Sequence, residues 1–88
     1  MSDKYDKLRE LLADQKFPML YPFKFIIKED KEKLIKIKQN FDETAEYSVR
    51  KSKNGNYSSI TIRQMMLSSD EIINKYKLLE SISGIISL

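Results

Sequence analysis

The side chains best placed to do chemistry are three consecutive hydroxyl groups, those of Tyr57, Ser58 and Ser59. A hydroxyl becomes a useful nucleophile only when a neighbouring base activates it. The chain has no histidine, the commonest such base, and a lysine could replace it only if the lysine were desolvated. No two carboxylates lie where burial would evidently separate their pKa values, as acid–base catalysis requires. We therefore expect no catalytic residues and no enzymatic activity.

The composition also gives little support for a metal or cofactor site. Histidine and cysteine are both absent, so imidazole and thiolate ligands are not available, and we expect no metal and no cofactor. The lack of cysteine fits a reducing cytoplasm. No apolar run is long enough to cross a bilayer, and the N-terminus lacks the apolar region of a signal peptide. A cytoplasmic protein without a membrane partner is expected.

The charge balance is only mildly basic, with 16 lysines and arginines against 13 acidic residues. Between Lys28 and Lys33 the two signs are mixed, which is typical of a solvated helix surface. Nucleic-acid-binding proteins usually concentrate their basic residues on one face. Nucleic acid is therefore an unlikely partner on composition alone.

The spacing of apolar residues predicts seven elements in this chain of 88 residues. They are a helix over 3–14, a strand over 21–28, a helix over 29–41, strands over 45–52 and 57–67, a helix over 68–82 and a short strand over 85–88. Asp3 or Ser2 is the expected N-cap of the first helix, and Ser68 with Glu71 has capping-box spacing.

Each element carries apolar side chains at the spacing of one buried face. The predicted inward residues are Tyr5, Leu8, Leu11 and Leu12; Tyr21, Phe23, Phe25 and Ile27; Leu34, Ile37 and Phe41; Tyr47 and Val49; Ile60, Ile62 and Met66; and Ile72, Tyr76, Leu79 and Ile82.

The dipeptide Asn54-Gly55 is the strongest local signal in the chain. Both central residues of a two-residue type I′ turn need φ > 0, which asparagine tolerates and glycine adopts freely. We predict a type I′ hairpin between the second and third strands.

The order of elements after the first helix is β-α-β-β-α-β. Two right-handed crossovers joined by a hairpin give an α+β, ferredoxin-like domain, with a four-stranded antiparallel sheet and two helices on one face. The first and third strands should be central. We assign this domain to residues 17–88 and a helical extension to residues 1–16.

The segment from Ser52 to Ile62, together with Tyr21-Pro22-Phe23-Lys24-Phe25 and the ending Ile85-Ile86-Ser87-Leu88, resembles the YbeD-like family of small bacterial proteins of unknown function. The resemblance implies a ferredoxin-like fold similar to that of ACT domains, which are regulatory domains that bind small molecules. It implies no particular activity. The junction over residues 26–30 differs from the ACT pattern because it contains no glycine.

The uncovered face of such a sheet is the predicted interaction surface. The expected contact residues are Lys24, Ile26, Arg50, Thr61, Arg63 and Met65 on the sheet face, and Lys53, Asn54 and Tyr57 at the hairpin. We predict a non-enzymatic regulatory or adaptor domain that binds a protein partner through this face or through the edge strand, or that forms a homodimer. A solvated face without a partner is the competing interpretation.

Two other functions remain open from the sequence. The first is an ACT-like sensor that binds an amino acid near residues 28–30 and the hairpin. The second and weaker one is RNA binding. RNA-binding sheets of this topology stack bases on exposed aromatic side chains, and Tyr57 is the only aromatic residue expected on the outward side of the central strands.

Overall fold

The computed structural model describes residues 4–28 and 30–87. The helices are α1 (Asp6–Ala13), α2 (Lys31–Gln39) and α3 (Ser69–Leu79), and the strands are β1 (Met19–Lys28), β2 (Glu46–Lys51), β3 (Tyr57–Met66) and β4 (Ile86–Ser87). The seven predicted elements are present, with their ends shifted by a few residues. The predicted caps Asp3 and Ser2, the expected helix start Glu29 and the last residue Leu88 lie outside the described residues.

The strands form one antiparallel sheet in the order β2-β3-β1-β4. The central strands β1 and β3 pair along their whole length, from Met19 opposite Met66 to Lys28 opposite Tyr57. Among the described residues, β4 pairs with β1 at Phe25 and Ile26. The prediction of an α+β protein with a four-stranded antiparallel sheet is confirmed.

A single hydrophobic core lies between the sheet and the helices. It combines alternate residues of the central strands, such as Phe23 and Ile62, with Ile37 of α2 and Ile72 of α3. All three helices therefore lie on one side of the sheet. The predicted stripe of α3 is buried, and so is Ile73, which the stripe did not include.

Local hydrogen bonds fix where α2 and α3 begin. The Asp30 carboxylate accepts from the backbone N–H groups of Glu32 and Lys33 at 2.9 and 3.4 Å. At α3 the Ser68 hydroxyl accepts from the N–H of Glu71 at 3.2 Å, which is the first half of the predicted capping box. Each cap satisfies backbone donors that have no partner inside the helix.

The N-terminal helix α1 packs on α3 within the helical layer. Leu12 is buried in the core, and the ring of Tyr5 stacks on that of Tyr76 with 6.2 Å between centroids. The expectation that Leu11 is buried was wrong, because its side chain is 70% exposed. The buried stripe of α1 is therefore narrower than its sequence suggests.

The hairpin between β2 and β3 differs from the predicted type I′ turn. The Gly55 N–H donates to the Ser52 carbonyl at 2.9 Å, and the Ser52 N–H donates to the Tyr57 carbonyl at 2.8 Å. The loop is therefore longer than two residues. Gly55 has φ +71°, whereas Asn54 is not in the left-handed region. Longer hairpin loops are usually built on a type I turn, which needs only one left-handed residue after it.

Within the described residues, no helix has the length and apolar character needed to span a membrane.

Candidate functional site

The sheet has one covered face and one face without helices, which we call the inner face and the outer face. Because strand side chains alternate and paired residues point the same way, the register assigns each residue to a face. The outer face consists of Leu20, Pro22, Lys24, Ile26, Lys28, Glu46, Ser48, Arg50, Tyr57, Ser59, Thr61, Arg63, Met65 and Ile86.

The six residues predicted as sheet-face contacts all lie on this outer face. Lys24 lies opposite Thr61, and Ile26 lies in the same row as Arg50, with Ser59 between them. The other two, Arg63 and Met65, follow along β3. The sequence therefore placed these residues on the correct face, and their role as contacts stays a prediction.

The outer face is predominantly basic. Its cations are Lys24, Lys28, Arg50 and Arg63, and its carboxylate is that of Glu46, directly opposite Arg63. All five side chains are exposed. The face as defined above therefore carries an excess of positive charge, which favours a negatively charged surface opposite it.

Apolar side chains occupy two places on the same face. At one end, Leu20 and Met65 lie opposite each other and are 51% and 54% exposed. In the row of Ile26, the exposed Ile86 of β4 lies directly opposite it. Leu67, directly after the end of β3, is also exposed. Exposed apolar side chains among cations make a surface that could contact another protein.

The predicted hairpin contacts lie at the other end of the sheet from Met65. Tyr57 is half exposed and lies opposite Lys28, while Lys53 and Asn54 are exposed in the loop. The ten residues of β3 separate the two ends by about 30 Å. A small ligand cannot touch both groups, so only a macromolecule could contact the whole predicted set.

A cleft that the sequence did not predict opens between α1, α3 and β4. Its volume is about 700 Å³, and its walls include Tyr5, Tyr21, Tyr76 and Glu80. The hydroxyls of Tyr21 and Tyr76 lie 2.9 Å apart, while Tyr5 donates a hydrogen bond to the Glu80 carboxylate, which also pairs with Lys4. The three tyrosine hydroxyls, Lys4 and Glu80 of this cleft are thus already paired with one another.

Burial makes Tyr76 a poor acid–base group. Loss of solvation raises the pKa of the Tyr76 hydroxyl far above its usual range, and the hydrogen bond with Tyr21 raises it further. The phenol therefore stays protonated and neutral at physiological pH. No spacing pattern could have revealed this cluster, because it joins Tyr5 before α1, Tyr21 of β1 and Tyr76 of α3.

A smaller cleft lies between the start of α2 and strands β2 and β3. Its volume is about 170 Å³, and its polar walls include Asp30, Lys31, Lys51 and Ser58. This position is close to the site expected for an amino-acid ligand. However, the Asp30 carboxylate already occupies the N-terminus of α2, where an anionic ligand would otherwise bind.

The family of this chain is shown by comparison of its sequence with models of known protein families. The sequence model described as "Protein of unknown function (DUF493)", which is the YbeD family, matches residues 13–88. The chain is a member of the DUF493 family. No curated protein and no solved structure matches it.

The match to DUF493 covers every strand of the sheet together with α2 and α3. Most of α1 precedes the matched segment, so the contacts of Tyr5 with Tyr76 and Glu80 join the DUF493 region to residues before it. The resemblance inferred from the sequence is confirmed.

Two kinds of reactive group considered from the sequence, metal ligands and hydroxyls, can be located in this DUF493 protein. Across residues 4–28 and 30–87, no three side chains of the types that bind metal ions come together. The hydroxyls of Tyr57 and Ser59 project from the outer face, whereas Ser58 is buried on the inner face. The three hydroxyls are therefore split between opposite faces, which does not form a catalytic group.

Proposed function

We propose that this DUF493 protein is a cytoplasmic, non-enzymatic regulatory or adaptor domain that binds a protein partner through the outer face of its sheet. The observation that carries the proposal is the composition of that face. Exposed cations outnumber the single carboxylate, and half-exposed Leu20 and Met65 lie beside them. Apolar side chains rimmed by polar and charged residues are typical of protein interaction sites.

We also propose that the domain is ferredoxin-like. The support is the β-α-β-β-α-β order of elements, with β1 and β3 central and helices on one side. This arrangement leaves a broad, relatively rigid sheet surface, so a partner would bind without large rearrangement of the backbone.

The partner proposed is an acidic protein segment that also carries apolar side chains. Carboxylates would pair with Lys24 and Arg63, while an apolar side chain would cover Met65 and Leu20. Exposed charge pairs are screened by salt, so binding should weaken as ionic strength rises. The apolar contacts should remain and set the residual affinity.

The test reverses two outer-face charges on the central strands, Lys24→Glu with Arg63→Glu. Both side chains are exposed, so the variant should fold normally and lose capture of partners from native lysate. The matched control is Lys7→Glu with Lys36→Glu, which changes the net charge equally at exposed positions of the helical layer. Equal capture by both variants would contradict the proposal.

A second candidate is an ACT-like sensor of a small amino acid, favoured by the cleft beside Asp30. The Asp30 carboxylate could pair with the ligand's ammonium group, and Lys31 or Lys51 with its carboxylate. A selective ligand stabilises the native state, so the unfolding temperature should rise with its concentration. No rise with any of the standard amino acids at millimolar concentration would remove this candidate.

Single-stranded RNA is the weaker alternative. The outer face offers the ring of Tyr57 alone for base stacking, although its cations could contact phosphates. Absence of a salt-sensitive mobility shift at low salt would exclude it.

A further inference from the structure

Strand β2 has a sheet partner on one side only. It pairs with β3 from Glu46 opposite Arg63 to Lys51 opposite Ser58, and in the described part of the chain no strand lies on its other side. All of its residues are exposed. Such an edge presents unpaired backbone groups to any other strand that can approach.

The exposed residues of β2 include two apolar side chains on the inner face. Tyr47 and Val49 lie opposite the buried Ile62 and Ile60, yet they are themselves 37% and 41% exposed. The helical layer therefore does not fully cover the sheet at this edge. Lys38 of α2 covers part of Tyr47, with its Nζ atom 5.2 Å from the ring centroid.

Two pairs of β2 side chains are complementary in character, and each pair is placed symmetrically about the same residue of the strand. Glu46 and Arg50 lie on the outer face with opposite charges, and Tyr47 and Val49 lie on the inner face. Both pairs are symmetric about Ser48. A two-fold axis at Ser48 would therefore bring each member of a pair opposite its complement in a second copy.

We propose that two copies of this chain pair β2 against β2 in antiparallel orientation, with Ser48 on the two-fold axis. Glu46 then faces Arg50 of the second copy, and Tyr47 faces Val49 of the second copy, each contact occurring twice. Opposite charges, and an aromatic beside a β-branched residue, are favourable cross-strand pairs. The two sheets join into one sheet of eight strands.

The charges on the joined outer face also favour this register. Glu46 already lies opposite Arg63 of its own β3, so in the pair it stands between two arginines. Arg50 of each copy gains a carboxylate that its own β3 neighbour, Ser59, does not supply. The positive and negative side chains therefore alternate across the contact.

Other registers lose these pairs. Moving the axis to Val49 places Tyr47 opposite Lys51 of the second copy and Arg50 opposite Ser48, which removes both complementary pairs. Placing the axis between two residues would set inner-face side chains opposite outer-face ones, which disrupts both surfaces. Cations on an edge strand usually discourage pairing with another strand. In β2, Arg50 instead favours the one register in which it faces Glu46 of the second copy.

The pairing should be weak and depend on concentration. One short strand from each copy makes a contact smaller than the ~800 Å² per partner that is typical of stable complexes. Sedimentation velocity over a concentration series should show a reversible monomer–dimer equilibrium for the unmodified chain.

Two charge reversals test the register. Glu46→Arg sets arginine opposite Arg50 of the second copy, and Arg50→Glu sets glutamate opposite Glu46, so each variant alone should associate at least about 10-fold more weakly. An equimolar mixture of the two variants should recover the affinity as a heterodimer, since residues 46 and 50 then carry opposite charges across the contact between the copies. The double variant, with the charges exchanged, should also recover it.

A cross-link tests the position of the axis. The chain has no cysteine, so Ser48→Cys gives each copy a single thiol. The proposed axis places the thiols of the two copies next to each other. Mild oxidation should give a disulfide-linked dimer, whereas Ser59→Cys, exposed on the outer face of the central strand β3, should stay monomeric under the same conditions.

Three results would overturn the proposal: an unmodified chain that stays monomeric at its solubility limit, single charge reversals that associate as tightly as the unmodified chain, or equal cross-linking at residues 48 and 59. The proposal does not depend on the acidic partner. The partner test is read by capture of other proteins from lysate, whereas the pairing test is read by self-association of the purified chain and its recovery in the mixed and double variants, so the two ideas can fail separately.

Discussion

The inner and outer faces of the sheet are built by the same strands and differ in what surrounds their side chains. Phe23 and Ile62 on the inner face have no exposed surface, whereas Leu20 and Met65 on the outer face are about half exposed. Because Phe23 and Ile62 are fully buried, their contacts lie within the chain, and these two residues help to explain the fold. About half of the surface of Leu20 and of Met65 remains accessible to solvent, so a function based on binding is expected on the outer face.

The largest expected effect is at the centre of the inner face. Phe23→Ala should lower the free energy of unfolding by about 3–5 kcal/mol, because it removes a buried ring that contacts Phe41 and Tyr76. Lys24→Ala, the next residue and on the outer face, should change it by less than about 0.5 kcal/mol. Urea unfolding measures both, and similar losses for the two variants would end the distinction between the faces.

The buried phenol of Tyr76 should make stability fall in alkaline solution. Burial raises its pKa, so above pH 10 the unfolded chain releases a proton that the native protein keeps. Unfolding then becomes more favourable by up to about 1.4 kcal/mol per pH unit. Tyr76→Phe removes this contribution, so its stability should fall less steeply between pH 10 and 11 than that of the unmodified chain. The exposed Tyr57→Phe serves as the control and should keep the steeper fall.

A smaller loss of stability is expected at the hairpin, where substitutions of two neighbouring residues should differ in their effect. Gly55→Ala should cost about 1–2 kcal/mol, because φ is +71° at this position and a Cβ atom is strained there. Asn54→Ala should cost less than about 0.5 kcal/mol, because Asn54 is outside the left-handed region. Equal losses on thermal or urea unfolding would favour the type I′ turn instead.

The smallest effect on stability is expected at Met65. Met65→Ser removes a half-exposed side chain and should change the free energy of unfolding by less than about 0.5 kcal/mol. Capture of an outer-face partner should nevertheless weaken. The inner-face neighbour Met66→Ser provides the contrast, since Met66 is buried and its loss should destabilise the fold.

Much of this architecture could be predicted from alternation and helical spacing. The period of two in β1 identified Phe23 and Phe25 as buried, and the stripe of α3 identified Tyr76 and Leu79. These predictions succeed because one-sided burial leaves a regular pattern in the sequence. The same alternation placed Lys24, Arg63 and the other outer-face candidates correctly.

The rest depended on contacts between elements, which leave no local pattern. Leu11 has the spacing of a buried residue but is exposed, while Ile73 lies off the main stripe and is buried. The Tyr21–Tyr76 hydrogen bond joins residues far apart in the chain. The hairpin type was wrong because Asn-Gly fits both a two-residue turn and a longer loop with a single left-handed glycine.

The central claim is that the outer face binds a partner, while the buried inner-face residues of β1 and β3 only hold the fold. Methyl resonances of a labelled sample can be followed by NMR while a protein captured from lysate is added. We predict that the methyl signals of Ile26 and Met65 shift and that those of Ile62 and Met66 do not. Shifts confined to the inner-face methyl groups, or to the helical layer, would contradict the account.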